Sequence, residues 1–125
     1  MKVLTFLMAF IFTVQVNAAD SVREVQLNDG RTILANANGL TLYTFDVDEP
    51  GISNCHAECL TLWPPLLIDS DATVESPFGK LTRPNGELQL MLNEQPLYLF
   101  IGDTKEGDLF GDNLQNVWHI IVTNP

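Results

Sequence analysis

Basic side chains are scarce in this sequence. Its 125 residues contain 6 Lys and Arg against 16 Asp and Glu, which gives a formal net charge of −10 at pH 7. Proteins that bind nucleic acid or anionic membranes use Lys and Arg to displace counterions from phosphate groups. The composition therefore argues against both kinds of partner. The length allows one compact domain and excludes a multi-domain enzyme.

Catalytic motifs are absent as well. The sequence has no G-x-S-x-G nucleophile elbow, no phosphate-binding P-loop and no H-E-x-x-H metal motif. With two cysteines and two histidines, a nucleophile–base pair would have to join a cysteine to His56 or His119. We therefore predict a protein that is not an enzyme and needs no cofactor. The sequence names no partner, and a protein partner in the cell envelope stays open.

The longest apolar run lies at the N-terminus. Lys2 precedes an apolar stretch from Val3 to Val14, and small residues follow up to Ala19. This is the three-part layout of a secretory signal, and the run is shorter than the roughly 20 residues that span a bilayer. We expect cleavage after Ala18 or Ala19, no membrane insertion afterwards, and a periplasmic or secreted mature protein in which disulfides can persist.

The chain repeats itself at an offset of 55 residues. Leu42–Asp48 aligns with Leu97–Asp103, and Trp63 aligns with Trp118 at the same offset. A shared register for residues as rare as tryptophan indicates a duplicated unit. The predicted organisation is a signal peptide, 1–19, followed by a single β domain, 20–125. The domain is built of two repeats, about 22–69 and 78–124.

Each repeat has the pattern of a short β-sheet. Asp29-Gly30 and Asn85-Gly86 are typical of type I′ hairpin turns, in which both central residues take positive φ. The strand-like runs are 22–27, 32–36, 40–45 and 65–68, and then 80–83, 87–92, 96–101 and 117–122. We predict a mainly β fold in which two four-stranded antiparallel units pack as a sandwich or close as a barrel.

One loop distinguishes the two repeats. The first repeat contains Cys55, His56 and Cys59 ahead of its tryptophan, and the corresponding loop of the second contains no cysteine. In an exported protein with two cysteines, a structural Cys55–Cys59 disulfide is the simplest interpretation. On a regular helix the Cβ atoms of residues four apart are roughly 5–6 Å apart, but a disulfide needs roughly 3.5–4.5 Å. A bridge therefore requires an irregular turn.

The same loop predicts a short helix. Ser53 or Asn54 can cap a helix N-terminus, and Pro64 would stop the helix near Trp63. We expect one or two helical turns near Cys55–Leu62.

A metal or redox site is the alternative for this loop. Copper(I) and zinc favour cysteine and histidine ligands, which Cys55, His56, Cys59 and His119 would supply. A Cys-x-x-x-Cys pair with a distant histidine resembles the ligand set of the Sco-type copper chaperones. The β-rich duplicated pattern does not suggest their thioredoxin-like fold. The alternative function is therefore a periplasmic copper- or zinc-binding or electron-transfer accessory protein.

The repeated motif resembles a known bacterial family, the "secreted repeat of unknown function" proteins, often described as predicted lipoproteins. The likeness rests on two Tyr-x-Phe-x-x-Asp patterns and on Cys-x-x-x-Cys followed by Trp-Pro-Pro. The motif residues are Tyr43, Phe45, Asp48, Trp63, Tyr98, Phe100, Asp103 and Trp118. The resemblance implies an exported, non-enzymatic protein with paired repeats. Because there is no lipobox cysteine, a soluble form with a binding or structural role is favoured over a tethered one.

Overall fold

The computed structural model of the protein describes residues 17–124, so most of the predicted signal peptide lies outside the described residues. Three of its residues are included. Ala18 is fully buried, and its amide donates to the carbonyl oxygen of Thr73 at 2.8 Å. Within residues 17–124, no helix has the length and apolar character needed to cross a membrane.

Short antiparallel strands make up most of the regular structure, which confirms the prediction of a mainly β fold. The strands are β1 (Val22–Gln26), β2 (Thr32–Asn36), β3 (Tyr43–Phe45), β4 (Leu67–Ile68), β5 (Phe78–Thr82), β6 (Leu88–Leu92), β7 (Gln95–Pro96) and β8 (Trp118–Ile120). The helices are one α-helix, α1 (Glu58–Leu62), and two 3₁₀ turns, Ala18–Ser21 and Leu114–Asn116.

The hairpins β1–β2 and β5–β6 turn at the predicted glycines, but the predicted type I′ geometry is wrong. The angle φ is +93° at Gly30 and +89° at Gly86, whereas φ stays negative at Asp29 and Asn85. The Asp29 and Asn85 side chains each accept a hydrogen bond from the backbone N–H two residues ahead, at 2.9 and 3.0 Å. This local bond holds Asp29 and Asn85 in the ordinary turn region, so only the glycine takes the left-handed conformation.

Each repeat contributes its last strand to a ladder of the other repeat. Strand β8 of the second repeat pairs with β3 of the first, and β4 of the first repeat pairs with β6 of the second. The four-stranded sheet, formed by β4, β6, β5 and β7, therefore mixes the two repeats. The sequence predicts that each repeat forms its own four-stranded unit, and the structure differs because these strands are exchanged. Within residues 17–124 the ladders do not close into a barrel, and packing as a sandwich stays a prediction.

The exchange follows a pseudo-two-fold axis between the two tyrosines of the motif. Tyr43 and Tyr98 form an antiparallel bridge, each amide donating to the other's carbonyl oxygen, at 2.8 and 3.0 Å. Further out, the amide of Leu34 donates to the carbonyl of Ile121 at 2.9 Å. The equivalent bond in the other half joins Leu90 to Leu66, also at 2.9 Å. The backbone hydrogen bonds of one repeat are thus completed by the other.

The core consists of an aliphatic cluster, an aromatic cluster and a smaller cluster formed by Val25, Ile33 and Ala35 of the first repeat. The aliphatic cluster pairs Leu34 and Leu42 of the first repeat with their equivalents Leu90 and Leu97 of the second. Its other buried members are Leu66 of the first repeat and, from outside the repeats, Ala18 and Ala72. The aromatic cluster consists of Tyr43, Cys55, Trp63, Tyr98 and Trp118. Because both repeats supply the two larger clusters, neither repeat can bury the apolar surface that it contributes to them without the other.

Candidate functional site

Four aromatic side chains of the two motifs form one row, in which three rings are stacked and the fourth, Phe100, is tilted by 34°. Trp63 and Trp118 stack with their ring centroids 3.7 Å apart and their planes 3° from parallel. Phe45 stacks on Trp118 at 4.1 Å, and Phe100 lies against Trp63 at 4.5 Å. Each ring of one repeat therefore lies beside a ring of the other, so the row joins the two repeats.

The tyrosines and aspartates of the motifs pair crosswise. The Tyr43 hydroxyl donates to Asp103 of the second repeat at 2.5 Å. The Tyr98 hydroxyl donates to Asp48 of the first repeat at 2.7 Å. Both tyrosines are fully buried. We call this row of four rings and the two Tyr–Asp pairs the clasp, and it contains all eight motif residues.

Burial controls the protonation of the clasp. It raises the pKa of Tyr43 and Tyr98 far above the usual range, and the hydrogen bond to a carboxylate adds to the shift. Burial also raises the pKa of Asp48 and Asp103, while the amide and hydroxyl groups that donate to these carboxylates lower it. The hydroxyls are protonated at neutral pH and act as hydrogen-bond donors to the two carboxylates.

In one half of the molecule a polar chain continues from the clasp. Because Tyr98 donates its only proton to Asp48, its oxygen accepts from the hydroxyl of Ser53 at 2.6 Å. The Ser53 oxygen in turn accepts from Nη1 of Arg83 at 3.1 Å. All donors point from Arg83 towards Asp48, an arrangement in which successive hydrogen bonds polarise one another.

Arg83 is buried, with 5% of its surface exposed. Its Nη1 also donates to Oε1 of Gln89 at 2.6 Å, and its Nη2 donates to the carbonyl of Cys55 at 2.9 Å. Among residues 17–124, no carboxylate forms a salt bridge with Arg83. A buried cation is costly unless hydrogen bonds and a counter-charge compensate it. Asp48, at the far end of the polar chain, supplies that charge.

The other half of the molecule is apolar at the equivalent place. Leu27 and Ile33 occupy the positions of Arg83 and Gln89, at the 56-residue offset of the hairpins. Leu27 and Leu109 pack against a buried cluster that includes Ile33. No arginine or glutamine is needed there, because the neighbouring groups are hydrocarbon.

The two tyrosines of the clasp also differ in the group that donates to the hydroxyl oxygen. The Tyr43 oxygen accepts from the backbone amide of Gly111 at 3.2 Å, whereas the Tyr98 oxygen accepts from the side chain of Ser53. Among residues 17–124, no chain of side-chain hydrogen bonds continues from the Gly111 amide. The polar chain therefore belongs to one half alone.

A surface groove lies beside each of these two places, at Arg83 and at Leu27, which we call the junctions. The first, which we call the Arg83 groove, has a volume of about 320 Å³ and is lined among others by Ile52, Ser53, His56, Leu81, Arg83 and Pro84. The second, which we call the acidic groove, measures about 640 Å³ and is lined among others by Leu27, Asp29, Arg31, Glu106, Asp108 and Leu109. Both form between the hairpin of one repeat and the long loop of the other. These volumes are in the range of small-molecule sites.

A disulfide joins Cys55 to Cys59, with the Cα atoms 5.3 Å apart. Helix α1 begins at Glu58, and Ala57 before it takes a φ of +53°. Cys55 therefore precedes the helix in an irregular turn, which is the condition that the spacing of the cysteines requires. The bond fixes the loop that supplies two acceptors of Arg83, the Ser53 hydroxyl and the Cys55 carbonyl.

The short helix is confirmed, but its predicted caps are wrong. Ala57 is the residue before the first turn, and no side chain caps the helix. The Ser53 hydroxyl is bound to Tyr98, and the Asn54 amide donates to the carbonyl of Val47 at 2.7 Å. Both predicted caps are thus used to hold the loop against the clasp.

The alternative metal ligands are not gathered at one place. The two cysteines are bonded to each other, and His56 is exposed at the Arg83 groove. His119 lies on β8, where its Nε2 is 2.7 Å from Oδ2 of Asp46 and its Nδ1 is 3.1 Å from Oδ1 of Asn113. In the part of the chain that the structure describes, no three His, Cys, Asp or Glu side chains are grouped as a metal site.

Sequence reasoning missed Arg83, Gln89 and Ser53. An arginine next to a turn is typical of an exposed residue, so Arg83 raised no expectation. A signal was nevertheless present, since aligning the hairpins places Arg83 and Gln89 opposite Leu27 and Ile33. A polar pair that replaces an apolar pair in a duplicated core marks a place where the two copies differ in chemistry.

The interlocked fold defines a class, namely a duplicated β protein whose repeats are joined by a shared aromatic clasp. The comparisons give that class a family. The family described as "secreted repeat of unknown function" matches residues 25–67 and 79–122, and the chain belongs to this family. The predicted family and its two repeats are thereby confirmed. Neither the curated proteins nor the solved structures gave a match.

Proposed function

We propose that the protein is an exported, non-enzymatic binding module that acts in the periplasm or outside the cell. One observation carries this proposal. The reactive groups of the motif and of the cysteine pair are engaged inside the protein, where the thiols are bonded to each other and the hydroxyls and carboxylates are paired, whereas grooves at equivalent places of the two halves stay open. The clasp holds the fold together, and the two grooves are surfaces available for recognition.

Two features support export. The family is described as secreted, and the first 19 residues have the layout of a signal peptide. The disulfide agrees with an oxidising compartment, since such bonds rarely persist in the cytosol. In this proposal the Cys55–Cys59 bond is a staple with no catalytic role, and it holds one wall of the Arg83 groove.

Fragment screening by NMR tests the binding role. Isotope-labelled protein would be titrated with a library of small carboxylates, amines, amides and sugars, and the shifted amides would be mapped onto the two grooves. Saturable shifts confined to either groove would support a binding module. A well-dispersed spectrum with no saturable shifts at either groove would contradict it.

A count of thiols and metal on natively purified protein tests the non-metal part of the proposal. The expected result is no free thiol and no stoichiometric metal. Two free thiols with about one bound copper or zinc ion, lost in Cys55→Ser, would instead establish the accessory function in metal handling.

A further inference from the structure

We propose that the Arg83 groove binds a small organic carboxylate with a short apolar chain. The proposal rests on the binding function proposed above and names the ligand class of one groove. The first observation concerns the hydrogen-bond donors of the Arg83 guanidinium group. Arginine presents five N–H donors in a planar fork, and an edge with two parallel donors matches the two oxygens of a carboxylate.

Three of the five donors of Arg83 are used inside the protein. They bind the Ser53 hydroxyl, the Gln89 side chain and the Cys55 carbonyl. The Ser53 and Cys55 oxygens are 3.4 Å apart, so they share the edge formed by Nη1 and Nη2. The adjacent edge, formed by Nε–H and the second Nη2–H, has no acceptor among residues 17–124. That edge is the one that binds carboxylates side-on.

The charge around the groove favours an anion. The residues that line it include Arg83 but no Asp or Glu, and Asp48, the counter-charge of Arg83, lies behind Ser53 and Tyr98 and is not among them. The acidic groove, at the equivalent place in the other half, is lined by Asp29, Glu106 and Asp108. In a protein with a net charge of −10, this contrast makes the Arg83 groove the better place for an anionic ligand.

The size and walls of the groove define the rest of the ligand. Ile52, Leu81 and Pro84 give it an apolar wall beside the guanidinium group. A volume of about 320 Å³ corresponds to roughly ten non-hydrogen atoms, at about 30 Å³ for each water-sized unit. A branched carboxylate of six carbons fits within that limit.

The probe for the first experiment is 4-methylpentanoate, with 4-methylpentanamide as its uncharged analogue. We expect saturable shifts of the Ile52 and Leu81 amides and of the Arg83 Nε–H resonance with the carboxylate. The amide should bind at least tenfold more weakly, because it lacks the charge and the second acceptor oxygen. Equal affinity for the two probes, or shifts that map to the acidic groove, would overturn the proposal.

A matched pair of surface variants tests the location without disturbing the core. Ile52 and Ile101 are 50% and 57% exposed, and Ile52 alone lines the groove. Ile52→Asp should weaken binding of the carboxylate at least tenfold, and Ile101→Asp should leave it unchanged. Unchanged affinity in Ile52→Asp would overturn the proposal. If other fragments saturate a groove and carboxylates do not, this ligand class is wrong and the binding function stands.

Discussion

At equivalent positions of the two hairpins, Leu27 lies among hydrocarbon side chains and Arg83 lies among hydrogen-bond acceptors. The backbone around the two residues is the same, since each hairpin turns at a left-handed glycine and meets the long loop of the other repeat. The comparison teaches that the shared clasp holds the two repeats in the same arrangement, while the side chains at each junction differ in their chemistry. Duplication therefore leaves one junction free to change without loss of the fold.

The largest expected effect concerns the row of aromatic rings that the two repeats share. Trp63→Ala and Trp118→Ala should each lower the free energy of unfolding by about 3–5 kcal/mol, because each removes a buried ring from the row. The two losses should be nearly equal, since each tryptophan also meets the edge of one tyrosine, at 5.2 and 5.3 Å. Urea unfolding followed by circular dichroism measures both.

The control for the tryptophan variants is Ile101→Ala, an exposed apolar truncation that should change stability by less than about 0.5 kcal/mol. Losses from the two tryptophan variants that differ by more than about 2 kcal/mol would show that the clasp is not shared equally between the repeats.

The next prediction converts one junction into the other. Arg83→Leu alone should cost about 2–3 kcal/mol, because it leaves the buried Gln89 and the Ser53–Cys55 loop without their donor. Adding Gln89→Ile copies the apolar pair of the other half and should recover most of that loss, as replacement of buried polar groups by hydrophobic ones often does. A double variant less stable than Arg83→Leu would contradict the equivalence of the two junctions.

A smaller difference is expected at the tyrosine hydroxyls. Tyr98→Phe removes the link between Asp48 and the Ser53–Arg83 chain, whereas Tyr43→Phe removes only the bonds to Asp103 and a backbone amide. Tyr98→Phe should therefore be the more destabilising by about 1 kcal/mol in chemical denaturation. Equal losses would mean that the polar chain adds nothing to the clasp.

The smallest effect is a dependence of stability on pH. Burial raises the folded-state pKa of Asp48 and Asp103, so the folded protein binds their protons more tightly than the unfolded chain does. Their contribution is fully present below the unfolded pKa of about 3.9 and is lost as the pH rises through the folded pKa. These two groups therefore favour stability at pH 4 over stability at pH 7.

Charge-free variants isolate this contribution from the other carboxylates. The Asp29 carboxyl acts in the opposite sense, because the backbone amide of Arg31 lowers its pKa. Asp48→Asn and Asp103→Asn should each make the change in stability from pH 7 to pH 4 less favourable than in the unmodified protein, measured as the shift of the urea midpoint. A more favourable change in either variant would contradict this prediction.

The sequence predicted much of this architecture because repeats and strand periodicity are local signals. Tyr43, Trp63 and their counterparts could be recognised as equivalent residues of two repeats from the offset alone. The crosswise pairing could not, since an offset shows which residues are equivalent and says nothing about which touch. The exchange of β4 and β8 depends on where the long loops cross in space. The hairpin dipeptides located the turns but not their type, because the Asp29 and Asn85 side chains bind their own backbone.

The central claim is that each motif completes the other rather than itself, and a double-mutant cycle tests it directly. Tyr43→Phe and Asp103→Ala, singly and together, should give a coupling free energy of about 1–3 kcal/mol. The same cycle on Tyr43 and Asp48, which belong to one motif, should give less than about 0.5 kcal/mol. A strong coupling within the motif and none across the repeats would contradict the interlocked arrangement.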